Sequence, residues 1–135
     1  MRGYKLVLGV VIVVLIALGF GFAWGNSGRA AAQKALDDSK QQLDIAEARG
    51  NILDARVSIY NVNFGDAQRH LDDAKAPLTR ARDRAQKQGN DDAAKALADA
   101  LARVDDAQRL ASRLDPNSNN QANEALKAIQ IATTK

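Results

Sequence analysis

The chain has 135 residues, no cysteine and few aromatic residues, with 19 basic and 16 acidic side chains. A chain of this length holds one modest domain, and the lack of cysteine excludes disulfides and thiolate metal sites. Two of the basic residues, Arg2 and Lys5, precede a hydrophobic segment, so the remainder is close to neutral. Nucleic-acid binding usually needs a clear basic excess and stacking aromatics, so we expect no nucleic-acid partner.

The first element is a hydrophobic segment, residues 6–24, that carries no charge. At 1.5 Å per residue a helix of this length spans roughly 28 Å, about the thickness of the hydrocarbon core of a bilayer. Tyr4 and Trp24 stand at its two ends, where amphipathic rings prefer the headgroup level. The segment predicts an uncleaved transmembrane helix. The alternative is a cleaved signal peptide, whose apolar region is usually shorter.

Flanking charges set the predicted orientation. Arg2 and Lys5 precede the segment without an acidic residue, whereas Arg29 and Lys34 after it are soon offset by acidic residues. The positive-inside rule then places residues 1–5 in the cytoplasm. We therefore expect a single-pass protein of the cell (inner) membrane whose helical domain is periplasmic or otherwise extracytoplasmic.

Small residues mark one face of the membrane segment and the joint that follows it. Ala17, Gly21 and Gly25 recur every four residues, a spacing that lets two membrane helices approach closely. Residues 25–28 read Gly-Asn-Ser-Gly, which predicts a short flexible joint before a helical domain over 29–135.

The first helix of the domain is predicted over about 29–62. Apolar or small residues recur there in alternating steps of four and three, which is the spacing of a coiled-coil seam. Ile45, Ile52 and Ile59 would widen this seam, and Gly50 with Asn51 is its weak point. The seam consists of Ala32, Leu36, Ser39, Leu43, Ala46, Gly50, Leu53, Val57, Tyr60 and Phe64.

Three further helices are predicted over about 66–87, 91–114 and 119–132. The first follows a turn at 61–65 and contains Pro77, where we expect a kink. Asp91 is the predicted N-cap of the next helix, and Asp115-Pro116-Asn117 predicts a break before the last. The residues predicted to face inward are Ala67, Leu71, Ala74, Leu78, Ala81, Ala85, Leu97, Leu101, Val104, Ala111, Leu114, Ala122, Ala125, Leu126, Ile129 and Ala132. The fold class is therefore all-α.

A repeat of about 34 residues connects the segments that begin at Ala32, Ala67 and Ala100, a period typical of stacked helical hairpins. Phe64, Ala67, Leu71 and Ala74 follow the aromatic, small, large, small order of the second helix of a tetratricopeptide repeat. The run Ala111, Leu114, Asp115, Pro116 is similar to that motif's closing segment. The chain thus resembles tetratricopeptide-type repeats over about half of its soluble part, which implies protein binding. A bundle of longer antiparallel helices satisfies the same periodicity and stays open.

Catalytic and metal-binding patterns are weak. Adjacent aspartates such as Asp37-Asp38 and Asp72-Asp73 diverge by about 100° on a helix and cannot share an ion. His70 is the single histidine and lacks the partners of a metal site or a catalytic triad. We therefore expect a protein that is not an enzyme and uses no cofactor and no metal.

Seven residues are the candidate partner contacts of the helical domain. Ala46 and Gly50 would let another helix approach, and Tyr60 with Phe64 would close the first hairpin or form a binding hot spot. The basic face of the second helix could meet an acidic partner or anionic headgroups. The set is Ala46, Gly50, Tyr60, Phe64, Arg80, Arg84 and Lys87.

These features predict a membrane-anchored, non-catalytic adaptor or scaffold that binds another protein through helical hairpins. The alternative is a small structural accessory subunit built permanently into a larger membrane complex or filament. The expected partners are the lipid bilayer and another protein associated with the membrane, and a second copy of the chain is a further candidate.

Overall fold

The computed structural model of the chain describes the backbone of residues 2–134 and the side chains of residues 28–134. It contains four helices, α1 (Arg2–Tyr60), α2 (Phe64–Lys87), α3 (Asp91–Ala111) and α4 (Ser118–Thr133). The described part contains no strand, so the predicted all-α class is confirmed. The chain divides into two compact units, residues 1–38 and residues 39–135.

Several sequence predictions lie on residues whose side chains are not described. They are the membrane segment 6–24, its flanking Tyr4 and Trp24, the small residues Ala17, Gly21 and Gly25, and almost all of the joint 25–28. Within residues 28–134, no helix is long and apolar enough to cross a membrane.

Residues 39–135 form a bundle in which successive helices run antiparallel. Asp44 of α1 meets Arg80 and Arg84 of α2, and Lys75 Nζ of α2 lies 2.7 Å from Asp105 Oδ1 of α3. Arg103 of α3 donates to Gln121 of α4. Arg56 Nε of α1 donates to Asn119 Oδ1 of α4 at 2.9 Å, which brings the last helix back to the first. The lengths of α2 (24 residues) and α3 (21 residues) favour a bundle of long helices over short tetratricopeptide hairpins.

The helix boundaries follow local capping chemistry. Asn63 Oδ1 accepts a hydrogen bond from the Asp66 amide, so α2 begins at Phe64, two residues earlier than the turn pattern predicted. Asn90, and not the predicted Asp91, caps α3 by accepting from the Ala93 amide. Helix α2 is continuous through Pro77.

The core is thin, and most of its residues are alanine. These small side chains let the helices pack closely. All six residues predicted to face inward on α2 are buried. On α3 and α4 the prediction is confirmed for most residues, but Leu114 is wrong because it lies in the turn after α3 with its side chain exposed.

The inward face of α1 differs from the predicted seam. The isoleucines that were expected only to widen the seam form the buried face together with two alanines. That face consists of Ile45, Ala48, Ile52, Ala55 and Ile59. Leu36, Leu43, Leu53, Val57 and Tyr60 are exposed. Helix α1 is continuous through Gly50 and Asn51, so no split occurs there.

Candidate functional site

Helix α1 carries an exposed stripe of apolar and small residues on the side opposite its buried face. We call it the α1 stripe, and it consists of Leu43, Ala46, Gly50, Leu53 and Val57. Two of the predicted partner contacts, Ala46 and Gly50, therefore lie on an exposed surface. A Cβ added at Gly50 would meet no atom within 4 Å, so glycine is not required there for packing within the chain.

A shallow groove of about 430 Å³ runs along part of this stripe. Ala46, Gly50 and Leu53 of α1 line it, and Thr133 near the end of α4 closes one side. Arg49 supplies a positive charge at its edge. The groove is open and largely apolar, which suits a protruding side chain of another protein better than a polar small molecule.

One end of the bundle exposes three large apolar side chains. The α1–α2 turn and the α3–α4 turn both lie at this end, because successive helices are antiparallel. Tyr60 is 85% exposed, Val62 74% and Leu114 68%. We call these residues the turn-end cluster.

Two members of the turn-end cluster have unusual backbone conformations. Val62 has φ 59° and Leu114 has φ 58°, in the left-handed region that residues with a Cβ rarely adopt. Each closes its helix with the same hydrogen-bond pattern that Gly89, at φ 71°, makes after α2. A glycine would fit all three turns, yet two of them carry exposed apolar side chains.

Tyr60 and Phe64, predicted as a pair, have different roles. Phe64 is 7% exposed and belongs to the core, so it closes the first hairpin. Tyr60 points away from the core and remains available for contacts.

The predicted basic face of α2 is largely engaged within the chain. Arg80 Nε lies 2.8 Å from Asp44 Oδ1, and Arg84 Nη1 lies 2.5 Å from Asp44 Oδ2. Arg80 Nη2 also lies 3.0 Å from Glu47 Oε2. Lys87 is exposed in the last turn of α2. This arrangement attaches α2 to α1 and leaves less basic surface than the sequence indicated.

Asp44 is the buried acid of this network. Burial alone raises the pKa of its carboxyl, but hydrogen bonds from Arg84 and Arg80 outweigh that effect, so its pKa lies below the ordinary value of 3.8. The hydrogen bond to Asp44 in turn raises the pKa of Arg80. The network is a structural contact between helices, since each charge already has its partner.

The other acidic residues and the histidine of the described part do not cluster as metal ligands. Residues 28–134 contain no group of three or more His, Asp or Glu side chains that could hold a metal ion. His70 is half-buried on α2, outside the core.

No known family model, curated protein or solved structure matches this chain. Sequence reasoning missed Val62 as a candidate contact and placed Leu114 inside. The signal that could have found both is an apolar residue just after a helix end, where glycine or asparagine is usual.

Proposed function

We propose that the protein is a membrane-anchored, non-catalytic adaptor or scaffold that binds another protein. The observation that carries this proposal is the turn-end cluster. Val62 and Leu114 are held in a left-handed backbone conformation that costs roughly 1–2 kcal/mol for an L-residue. Backbone strain of this kind concentrates at functional sites.

The chemistry of the turn-end cluster fits a protein partner. Tyrosine is enriched among interface hot spots because its ring gives a large contact area and its hydroxyl a hydrogen bond. Val62 and Leu114 would supply apolar contacts on either side of the end of the bundle. Asn61 and Asn63, both exposed beside Val62, would supply a polar rim.

The membrane anchor of this proposal is the hydrophobic segment 6–24, with Tyr4 and Trp24 as interfacial residues. The charge balance around it supports a cytoplasmic N-terminus and a periplasmic or otherwise extracytoplasmic bundle. Within residues 39–135, the turn-end cluster lies at the end of the bundle opposite Ser39.

The α1 stripe favours a second candidate function, a small accessory subunit built permanently into a membrane complex. An apolar stripe along a helix is common where a subunit is always covered by its neighbour. The two functions differ in stoichiometry. A subunit is recovered with a fixed set of membrane proteins, whereas an adaptor exchanges its partners.

The test is co-purification of tagged full-length protein from its native membrane in a gentle detergent. The comparison is between the natural chain and the Val62→Gly/Leu114→Gly variant, which removes both side chains without straining the turns. We expect the variant to lose most of its co-purifying partner while remaining folded. Ala98→Ser, an exposed change on α3, is the matched control and should retain the partner.

Equal recovery of the same partner by the glycine variant would overturn the role of the turn-end cluster. Recovery of a fixed-ratio set of other membrane proteins by all variants would establish the accessory subunit instead. Recovery of the chain without any other protein would contradict both functions.

A further inference from the structure

The α1 stripe has the spacing of a coiled-coil seam. Leu43, Ala46, Gly50, Leu53 and Val57 follow one another in alternating steps of three and four, the a and d positions of a heptad. Upstream, the same spacing continues in the sequence to Leu36. Because the bundle uses the opposite side of α1, a partner helix can cover the stripe without displacing α2 or α4.

The stretch of α1 from residue 28 to residue 43 also lacks burial. None of residues 28–43 is buried, although all of them are helical. This stretch continues α1 without a break but gains little stability from burial within the chain, and burial supplies most of the stability of helices in proteins. A second helix along the seam would supply the missing burial.

Two exposed charged residues flank the stripe. Arg49 and Asp54 are exposed and stand at the g and e positions of the heptad. Within residues 28–134 neither of them forms an ion pair. In two parallel helices a g residue faces the e residue of the following heptad, so Arg49 of each copy would face Asp54 of the other.

We propose that the α1 stripe pairs with the α1 stripe of a second copy of this chain, in parallel and in register. Gly50 and Ala46 at the centre let the two helices approach closely, and the groove lined by these residues closes between them. Two Arg49–Asp54 pairs then flank the seam. This pairing uses a different surface from the turn-end cluster and does not depend on the proposed function.

An antiparallel pair fits the same residues less well. It would place Leu53 of one copy opposite Gly50 of the other, which is sterically favourable. Beside the seam, however, Arg49 would face Arg56 of the other copy. Glu47 would likewise face Asp54. Like charges at such positions are destabilising. The seam residues before Leu43 would also have no counterpart, because the partner's α1 ends at Tyr60.

The chain has no cysteine, so single introduced cysteines report the pairing directly. A disulfide needs Cα atoms within about 7 Å. Full-length Leu43→Cys and Val57→Cys variants in mild detergent should each form a covalent dimer under gentle oxidation. Ala98→Cys, exposed on α3, is the control and should remain a monomer on a non-reducing gel.

Two other outcomes would overturn the proposal. No disulfide at either position, with a monomeric mass by sedimentation, would show that the stripe does not meet a second copy. An Ala46→Cys chain that links only to a Val57→Cys chain would show an antiparallel pair.

A charge exchange separates pairing through the stripe from pairing driven elsewhere in the chain. Arg49→Asp and Asp54→Arg should each raise the dimer dissociation constant by about 5-fold, because both copies lose an attractive pair and gain a repulsive one. The double variant, Arg49→Asp with Asp54→Arg, should restore the natural value. Equal affinities for all four chains would contradict the parallel arrangement.

Discussion

At the scale of single residues, three helices end in the same left-handed backbone conformation but with different residues. After α1, α2 and α3 the chain closes with a left-handed residue, which is Val62, Gly89 and Leu114 in turn. The hydrogen bonds are alike, with Asn63, Asn90 and Asp115 donating to carbonyls five residues back at 2.8 to 3.0 Å. Glycine has no Cβ and adopts this conformation freely, whereas valine and leucine do not. The first and third turns are therefore less stable than they could be.

We predict that Val62→Gly and Leu114→Gly each raise the free energy of unfolding by about 0.5–1 kcal/mol. Relief of the left-handed strain exceeds the cost of the added freedom that glycine brings to the unfolded chain. Urea unfolding of the full-length chain in mild detergent, followed by far-ultraviolet circular dichroism, measures this change. The matched variant Gly89→Ala should lower stability by about 1 kcal/mol, because it introduces the same strain. A lower free energy of unfolding for all three variants would refute the assignment of strain to Val62 and Leu114.

At the scale of the elements, α1 is the helix with two apolar faces. Ile52 is completely buried against the bundle, whereas the next residue, Leu53, is 47% exposed. Ala48 and Ala55 lie on the same side as Ile52, and their small size lets the neighbouring helices come close. The larger side chains of the α1 stripe stay outside the core and are free to contact another helix.

Substitutions at two adjacent positions of α1 distinguish its faces. We expect Ile52→Ala to lower the free energy of unfolding by about 2–4 kcal/mol, because it leaves a cavity in a core with few large side chains. Leu53→Ala should lower it by less than about 1 kcal/mol, since half of the side chain is already in water. Thermal unfolding of both variants gives the comparison. The reverse order would mean that the predicted seam, and not the isoleucine face, is the inner surface.

At the scale of the whole molecule, one buried carboxylate attaches the first helix to the second. Asp44 accepts hydrogen bonds from both Arg80 and Arg84, and Glu47 adds a second contact to Arg80. A carboxyl whose pKa is lower in the folded chain stabilises the fold above its unfolded pKa. That contribution is lost as the pH falls through the folded value. The bundle should therefore weaken in acid, from about pH 4 downward.

We predict that Asp44→Asn lowers the free energy of unfolding at neutral pH by about 1–2 kcal/mol and reduces its decline below about pH 4. Part of the decline should remain, because the hydrogen bond from Lys127 also lowers the pKa of Glu124. Urea unfolding at a series of pH values measures both effects. Asp99→Asn, which breaks the exposed contact of Arg103 with Asp99 at 3.5 Å, is the control and should change little. If the free energy of unfolding of Asp44→Asn declined below about pH 4 as steeply as that of the natural chain, the role of this carboxylate would be contradicted.

The sequence by itself determined the helical class, the approximate positions of the helix breaks and the inward face of α2. That face is readable because α2 has one apolar side, and charged residues occupy the others. The sequence did not determine which side of α1 faces the core, because two different sets of apolar and small residues on α1 both recur with the period of a helix. Only the tertiary structure decided which side faces the core, since Asp44, beside Ile45 on the buried side, pairs with Arg80 and Arg84 and so turns that side towards α2. The prediction that Leu114 is buried was wrong for a similar reason. Its apolar character predicted burial, but its backbone conformation, which only the tertiary structure shows, turns the side chain into solvent.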